Sequence, residues 1–146
     1  MEKYRIIIDT NLWISLIIGK RLSELNSLCN SDMINVYLCE ELISEFMRVA
    51  NQEKIKKYAN NERTMQTVEL MKASCIISSI NNNVILSSLR DVNDLYLLSL
   101  AKTVEANFIL TGDNDLLTLQ SFEQTKIVTY KEFKTFFEKN TGIQIP

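Results

Sequence analysis

Two carboxylates stand just beyond a short apolar run in the stretch NFILTGDNDLL, residues 107–117. The run ends in Thr-Gly, and Asp113 and Asp115 follow, two residues apart. A carboxylate in this position can cap the next helix, or it can join acids from elsewhere in the chain. Clustered carboxylates are the ligands that hard ions such as Mg²⁺ and Mn²⁺ prefer. The stretch therefore raises the hypothesis of a divalent-cation site.

The chain of 146 residues contains no histidine. This excludes Ser-His-Asp and Cys-His catalysis and any histidine general base. It also disfavours zinc, copper and non-haem iron sites, which rely on imidazole ligands. Any chemistry here must use carboxylates, hydroxyls, lysines or thiols.

Short apolar runs alternate with amphipathic segments along the whole chain. The runs predict strands at residues 4–8, 36–39, 75–77, 108–110 and 127–129. Helices are predicted at residues 11–18, 22–29, 41–51, 54–73 with a break near Asn60, 92–104 with Asp91 as its cap, 115–119, and beyond Tyr130. This alternation indicates α/β structure, with a mostly parallel sheet of four to five strands covered on both faces.

Parallel strands direct their carboxyl ends to one edge of a sheet, where ligands usually bind. Asp9 directly follows the first strand, and Asp113 follows the strand at 108–110. Glu45 and Asp94 lie on helices that can reach the same edge. Four acids in one crevice repel one another, so a divalent cation is the natural group to neutralise them.

Each acid also has a structural alternative. Asp9, Asp113 and Asp115 can serve only as helix caps, and Asp94 can be a first-turn acid favoured by the helix dipole. Glu45 can be an acid on an exposed helix face. The stripe of Phe133, Phe136 and Phe137 is read as core or as a dimer face.

Four stretches, in this order, carry a resemblance to a known family: IIIDTNLWISLI, CEELISEFMRVA, LRDVNDLYLLSLAKTVEANFILTGDNDLL and KIVTYKEF. They resemble the motifs of the PIN domain family and are most similar to its subgroup of toxin components of toxin–antitoxin systems, the VapC-like ribonucleases. The resemblance spans residues 6–133. It implies a three-layer α/β/α sandwich, an endoribonuclease dependent on Mg²⁺ or Mn²⁺, a homodimer and a possible antitoxin partner.

The resemblance also implies roles for individual residues. The catalytic acids would be Asp9, Glu45, Asp94 and Asp113, and the metal ligands these four with Asp115. Asn11 and Thr111 would hold the carboxylates in place. The chain departs from the subgroup at Val92 and Leu95, which replace a proline and a second acid in the third motif.

The net charge of −2 does not indicate a protein that binds nucleic acid, although the sixteen basic residues can still form a local positive patch. The first candidates for phosphate contacts are Arg48, Lys54, Lys56 and Lys57. The run containing these lysines can equally be a solvated helix face.

We expect a single domain over residues 1–146, without a signal peptide or membrane partner, acting in the cytoplasm. The three cysteines are far apart in the sequence and are expected to be reduced. Two rival functions remain: a PIN-fold module that binds a protein partner, and a phosphatase of the haloacid-dehalogenase type. The second is disfavoured because Asn11 stands where that family has its second Asp.

Overall fold

The computed structural model describes residues 2–81 and 94–145. These residues form six strands: β1 (Tyr4–Ile8), β2 (Ile34–Leu38), β3 (Ile76–Ile77), β4 (Phe108–Leu110), β5 (Ser121–Phe122) and β6 (Thr125–Val128). They also form eight helices: α1 (Thr10–Ile18), α2 (Leu22–Cys29), α3 (Glu40–Ala50), α4 (Glu53–Lys56), α5 (Asn61–Ser74), α6 (Leu95–Val104), α7 (Asn114–Leu119) and α8 (Tyr130–Thr141).

The strands form one sheet in the order β3-β2-β1-β4-β6-β5. All neighbouring strands are parallel except β5, which pairs antiparallel with β6. The predicted mostly parallel α/β fold is confirmed. The sheet has one strand more than the predicted four to five because β5, only two residues long, has no apolar period that a sequence pattern could reveal.

The centre of the sheet is covered on both faces. Successive residues of a strand point to opposite faces, yet Ile6, Ile7 and Ile8 of β1 are all fully buried. The run is apolar throughout because neither face meets water, which is the pattern of an internal parallel strand. Helix layers on the two sides of the sheet therefore make the α/β/α sandwich.

The aromatic stripe of α8 belongs to the core. The ring of Phe108 on β4 lies 5.3 Å from that of Phe133 and 5.1 Å from that of Phe136, measured between centroids. Phe133 and Phe137 are fully buried, and Phe136 is partly buried. The core interpretation of these rings therefore holds in the single chain.

The predicted break in the long helical segment is present, and it has a local cause. Asn60 accepts a hydrogen bond from the Arg63 N–H at 2.9 Å and so caps α5, while α4 ends before it. The other predicted elements match within a few residues. The predicted cap Asp91 and the departure at Val92 lie outside the described residues.

In the part of the chain that the structure describes, no helix is long and apolar enough to cross a membrane.

Candidate functional site

The carboxyl ends of β1 and β4 lie side by side at the centre of the sheet. The register pairs Ile8 with Leu110, and the Asp9 N–H extends the pairing by donating to the Leu110 carbonyl at 2.9 Å. The first residues beyond the two strands, Asp9 and Thr111, are therefore neighbours. The predicted meeting of these two chain segments at one edge is present in the structure.

The hydroxyl of Thr111 joins the segments that carry the two acids. It donates a hydrogen bond to Asp9 Oδ2 at 2.8 Å and accepts one from the Asp113 N–H at 3.0 Å. Thr111 is only 1% exposed, so neither bond competes with bulk water. One buried side chain thus contacts the Asp9 carboxylate directly and Asp113 through its backbone.

The environment of Asp9 disfavours the ionised form of its carboxyl group. The pKa of its carboxyl is raised, first because burial removes the charge from water; the hydrogen bond from Thr111 opposes the rise, and the charge of Asp113 adds to it. The N–H groups of Asn11 and Thr10 lower the pKa by smaller amounts. Two acids close enough to repel across a buried edge make an electrostatically strained pair that a cation would relieve.

Replacing Asp9 with Asn should make the metal-free protein more stable at pH 7. Because the pKa of Asp9 is higher in the folded chain than its ordinary value of 3.8, the folded state binds the proton more tightly. Stability from this group is therefore present at low pH and is lost as the pH rises through the folded pKa. Urea unfolding between pH 4 and pH 7 should show the variant's advantage growing with pH.

The exposed acid Asp32 supplies the matched control, since it precedes β2 at the opposite edge of the sheet. The variant Asp32→Asn should show no comparable gain. An Asp9→Asn protein that is less stable than wild type at pH 7 without metal would contradict the repulsion argument.

Asp113 also caps the following helix. Its Oδ1 atom accepts a hydrogen bond from the Asp115 N–H at 2.9 Å, at the start of α7. The capping alternative for Asp113 is therefore present. Capping occupies one carboxylate oxygen and does not exclude a ligand role for the group. Asp115 lies in the first turn of α7 and is partly buried.

Glu45 lies on α3 and is engaged by a basic neighbour. Arg48, one turn later, donates to its two carboxylate oxygens at 2.6 and 3.1 Å. The hydrogen bonds to Glu45 and its negative charge raise the pKa of the Arg48 side chain. The two charges largely neutralise each other. Arg48, predicted as a phosphate contact, is thus also a partner of a predicted catalytic acid.

Asp94 stands at the N-terminus of α6, where its Oδ2 atom is buried. Two residues later Tyr96 lies with its hydroxyl 3.1 Å from the hydroxyl of Thr10, the first residue of α1. This contact connects the start of the Asp94 helix to the residue that follows Asp9. It gives α6 a fixed position relative to the Asp9 segment.

Tyr96 was not predicted as a site residue. Burial raises its pKa most, the hydrogen bond with Thr10 opposes this, and the charges of Asp9, Cys39 and Glu45 raise it further. Its hydroxyl therefore experiences the charges of acids from two separate elements. The available signal was a phenol two residues beyond Asp94 on an otherwise apolar helix, because a buried tyrosine usually needs a polar partner.

Replacing Tyr96 with Phe should lower the free energy of unfolding by about 0.5–1.5 kcal/mol, because it deletes a partly buried hydrogen bond and little else. Urea unfolding of the metal-free protein measures the loss. The exposed Tyr58, with 64% of its surface accessible, gives the matched variant Tyr58→Phe, which should be nearly neutral. Equal stabilities of the two variants would argue against the Thr10 contact.

Asn11 lies two residues beyond Asp9, whereas the three predicted lysines lie apart from the Asp9–Asp113 pair. Asn11 is exposed, and its backbone N–H rather than its side chain acts on Asp9. Lys54 and Lys56 lie on α4 and Lys57 follows it, all three exposed. Because α3 starts at the carboxyl edge and has 11 residues, α4 begins about 16 Å along it from that edge. These lysines can touch an extended polymer but not a small ligand at the pair.

The ligand set is incomplete in this conformation. Among residues 2–81 and 94–145, no three cysteine or acidic side chains lie close enough together to bind one metal ion. The structure brings Asp9 and Asp113 together, and the Tyr96–Thr10 hydrogen bond links the helix of Asp94 to the segment of Asp9. The five predicted metal ligands therefore remain a prediction as a set.

Comparison with known proteins agrees with this arrangement. A family model described as PIN domain matches residues 5–115, well over half of the chain, and this span includes every predicted acid. No curated protein sequence matches the chain. PIN domains are generally nucleases that hydrolyse phosphodiesters, usually with divalent metals. With the matching sheet and the paired carboxylates at its carboxyl edge, the chain belongs to the PIN domain family.

Proposed function

We propose that this protein is an endoribonuclease dependent on Mg²⁺ or Mn²⁺. The observation that carries the proposal is the Thr111 hydroxyl bridge, which holds Asp9 beside Asp113 at the edge where β1 and β4 end. Burial of Asp9 and the nearby charge of Asp113 raise the pKa of the Asp9 carboxyl, so its ionised form is unfavourable unless a positive charge joins it. A pair maintained at that cost is explained by cation binding better than by helix capping alone.

The chemistry of the side chains fits a hard divalent ion. Asp9 and Asp113 supply carboxylate oxygens, the ligand type that Mg²⁺ and Mn²⁺ prefer, and the chain has no imidazole that would favour zinc. Asp94, Asp115 and Glu45 are the further ligands that we predict. Bound there, the ion would lower the pKa of a water molecule and stabilise charge on phosphate oxygens.

The protein's own groups have distinct tasks in this proposal. Asp9 and Asp113 hold the ion. Thr111 orients the Asp9 carboxylate, as hydrogen-bond partners of ligands commonly do, and it anchors the backbone of Asp113. Glu45 orients the attacking water or contributes to a second ion. Arg48 neutralises Glu45 in the resting protein and can turn towards a phosphate of the RNA.

We further propose that the protein is the toxin of a type II toxin–antitoxin system, acting on RNA in the cytoplasm as a homodimer. The support is the resemblance of four ordered motifs to the VapC-like subgroup. If so, producing the protein in cells without an antitoxin should arrest growth. That arrest should depend on the same carboxylate pair.

Titrating Mn²⁺ into the metal-free protein should raise its melting temperature. A ligand that binds only the folded state adds about 2.7 kcal/mol of stability at 100 times its Kd. The variants Asp94→Asn and Asp113→Asn should lose most of this gain, because each removes a charged ligand. Asp32→Asn, an exposed acid at the other edge of the sheet, should keep it in full.

Identical melting curves at every Mn²⁺ concentration, in wild type and variants alike, would count against the metal site. The alternative would then be a PIN-fold module that binds a protein partner and cleaves little or nothing.

A further inference from the structure

Two of the three cysteines meet in the folded chain although 46 positions separate them in the sequence. Cys29 is the last residue of α2, and Cys75 directly follows α5. Their sulfur atoms lie 3.6 Å apart, and the Cys75 thiol donates towards Cys29 Sγ. The third, Cys39, is fully buried at the start of α3, where burial raises its pKa to about 11.

A second contact holds the same two helix ends together. The hydroxyl of Ser74, the neighbour of Cys75, donates to Asn30 Oδ1 at 3.0 Å, and Asn30 is the neighbour of Cys29. The sulfur atoms therefore face each other across a helix–helix contact that has its own hydrogen bond. Cys29 is buried and Cys75 is partly exposed, so one member of the pair can be reached from solvent.

We propose that Cys29 and Cys75 form a reversible intramolecular disulfide when the protein meets a peroxide. A disulfide bond is about 2.05 Å long, so the sulfur atoms must approach by roughly 1.5 Å, which side-chain rotation at two helix ends can supply. The chain thus contains a redox-modifiable site that is independent of the carboxylate pair.

Hydrogen peroxide is the oxidant that forms this disulfide. The contact with Cys29 and burial raise the pKa of the Cys75 thiol, so a base from solvent must first take its proton. The resulting Cys75 thiolate attacks one peroxide oxygen, the O–O bond breaks, and a sulfenic acid and, with that proton, one water result. The Cys29 sulfur then attacks the Cys75 sulfur, and the hydroxyl leaves as a second water. Two thiols lose two electrons and one peroxide gains them.

The bond would tie α2 to α5 and restrict the unfolded chain. It closes a loop of about 46 residues, long enough for a substantial loss of unfolded-state entropy. We expect the oxidised protein to melt roughly 5–15 °C above the reduced protein. Dithiothreitol should abolish that difference.

Counting free thiols tests the proposal on the intact protein. Wild type is treated with hydrogen peroxide, denatured, and alkylated with N-ethylmaleimide before its mass is measured. The reduced protein should carry three adducts, one for each cysteine of the sequence, and the oxidised protein one. Digestion should yield a peptide in which Cys29 is linked to Cys75.

Single substitutions identify which two cysteines form the disulfide bond. Cys39→Ala should still lose both of its adducts on oxidation, whereas Cys75→Ser should form no internal disulfide. Three adducts on oxidised wild type, a linkage that includes Cys39, or a disulfide only between two chains would each overturn the proposal. The wild-type measurement decides the matter even if a variant does not fold.

Discussion

Replacing Asp113 with Asn should lower the rate of Mn²⁺-dependent RNA cleavage by at least about 100-fold. Changing groups that merely orient metal ligands costs about 10–100-fold, so removal of a charged ligand should reach or exceed the upper end. Asn keeps the size of the side chain and an oxygen that can accept the capping bond from the Asp115 N–H. The loss would therefore report on charge and not on the start of α7. Single-turnover cleavage of a labelled RNA, at saturating metal, measures it.

The control for this result is Asp32→Asn, which removes the same charge at the opposite edge of the sheet. Its rate should equal that of wild type, and so should its ability to arrest growth when the protein is produced in cells. Asp113→Asn should relieve the arrest. If Asp113→Asn cleaves RNA within a few-fold of wild type, Asp113 does not belong to the catalytic set. If the variant has lost cleavage but still arrests growth, toxicity is separate from cleavage.

Replacing Thr111 with Val should have the second largest effect, and it should act on stability and metal binding together. The change leaves the buried Asp9 carboxylate without its hydroxyl donor and the Asp113 N–H without its acceptor. An unsatisfied buried polar group costs about 1–3 kcal/mol, so the free energy of unfolding should fall by at least that amount. The Kd for Mn²⁺ should rise about 10–100-fold, because Asp9 loses the donor that orients its carboxylate and the backbone of Asp113 loses its hydrogen bond to the same hydroxyl.

The variant Thr125→Val distinguishes the effect on stability from the effect on metal binding. Thr125 is as buried as Thr111, and its hydroxyl donates to the Ala106 carbonyl at 2.7 Å, away from any predicted acid. This variant should lose stability but keep the wild-type Kd for Mn²⁺. Urea unfolding and isothermal titration of both variants make the comparison. If Thr111→Val also binds Mn²⁺ like wild type, the hydroxyl supports the fold alone.

Much of this arrangement could be predicted from the sequence. The continuous apolar runs at β1 and β4 indicate internal parallel strands, because a strand covered on both faces does not alternate apolar with polar residues. Parallel strands bring their carboxyl ends to one edge, so Asp9 and Asp113 are predicted to lie at the same edge and to approach if their strands are neighbours. The absence of histidine from the chain excludes imidazole bases and ligands, which favours carboxylates and the hard ions that they bind. These conclusions rest on local patterns and hold without knowledge of long-range contacts.

Three features could be found only in the tertiary structure: the short strand β5, the Tyr96–Thr10 bond and the Cys29–Cys75 contact. The tyrosine reaches across 86 positions and the thiols across 46, and no periodicity within one segment encodes distances of that kind. The same holds for the Thr111 bridge: the sequence places a hydroxyl beside the acids, but only the register of β1 on β4 aims it at Asp9. Local composition determined which groups are available at the sheet edge, and the packing of distant segments decided which of them touch.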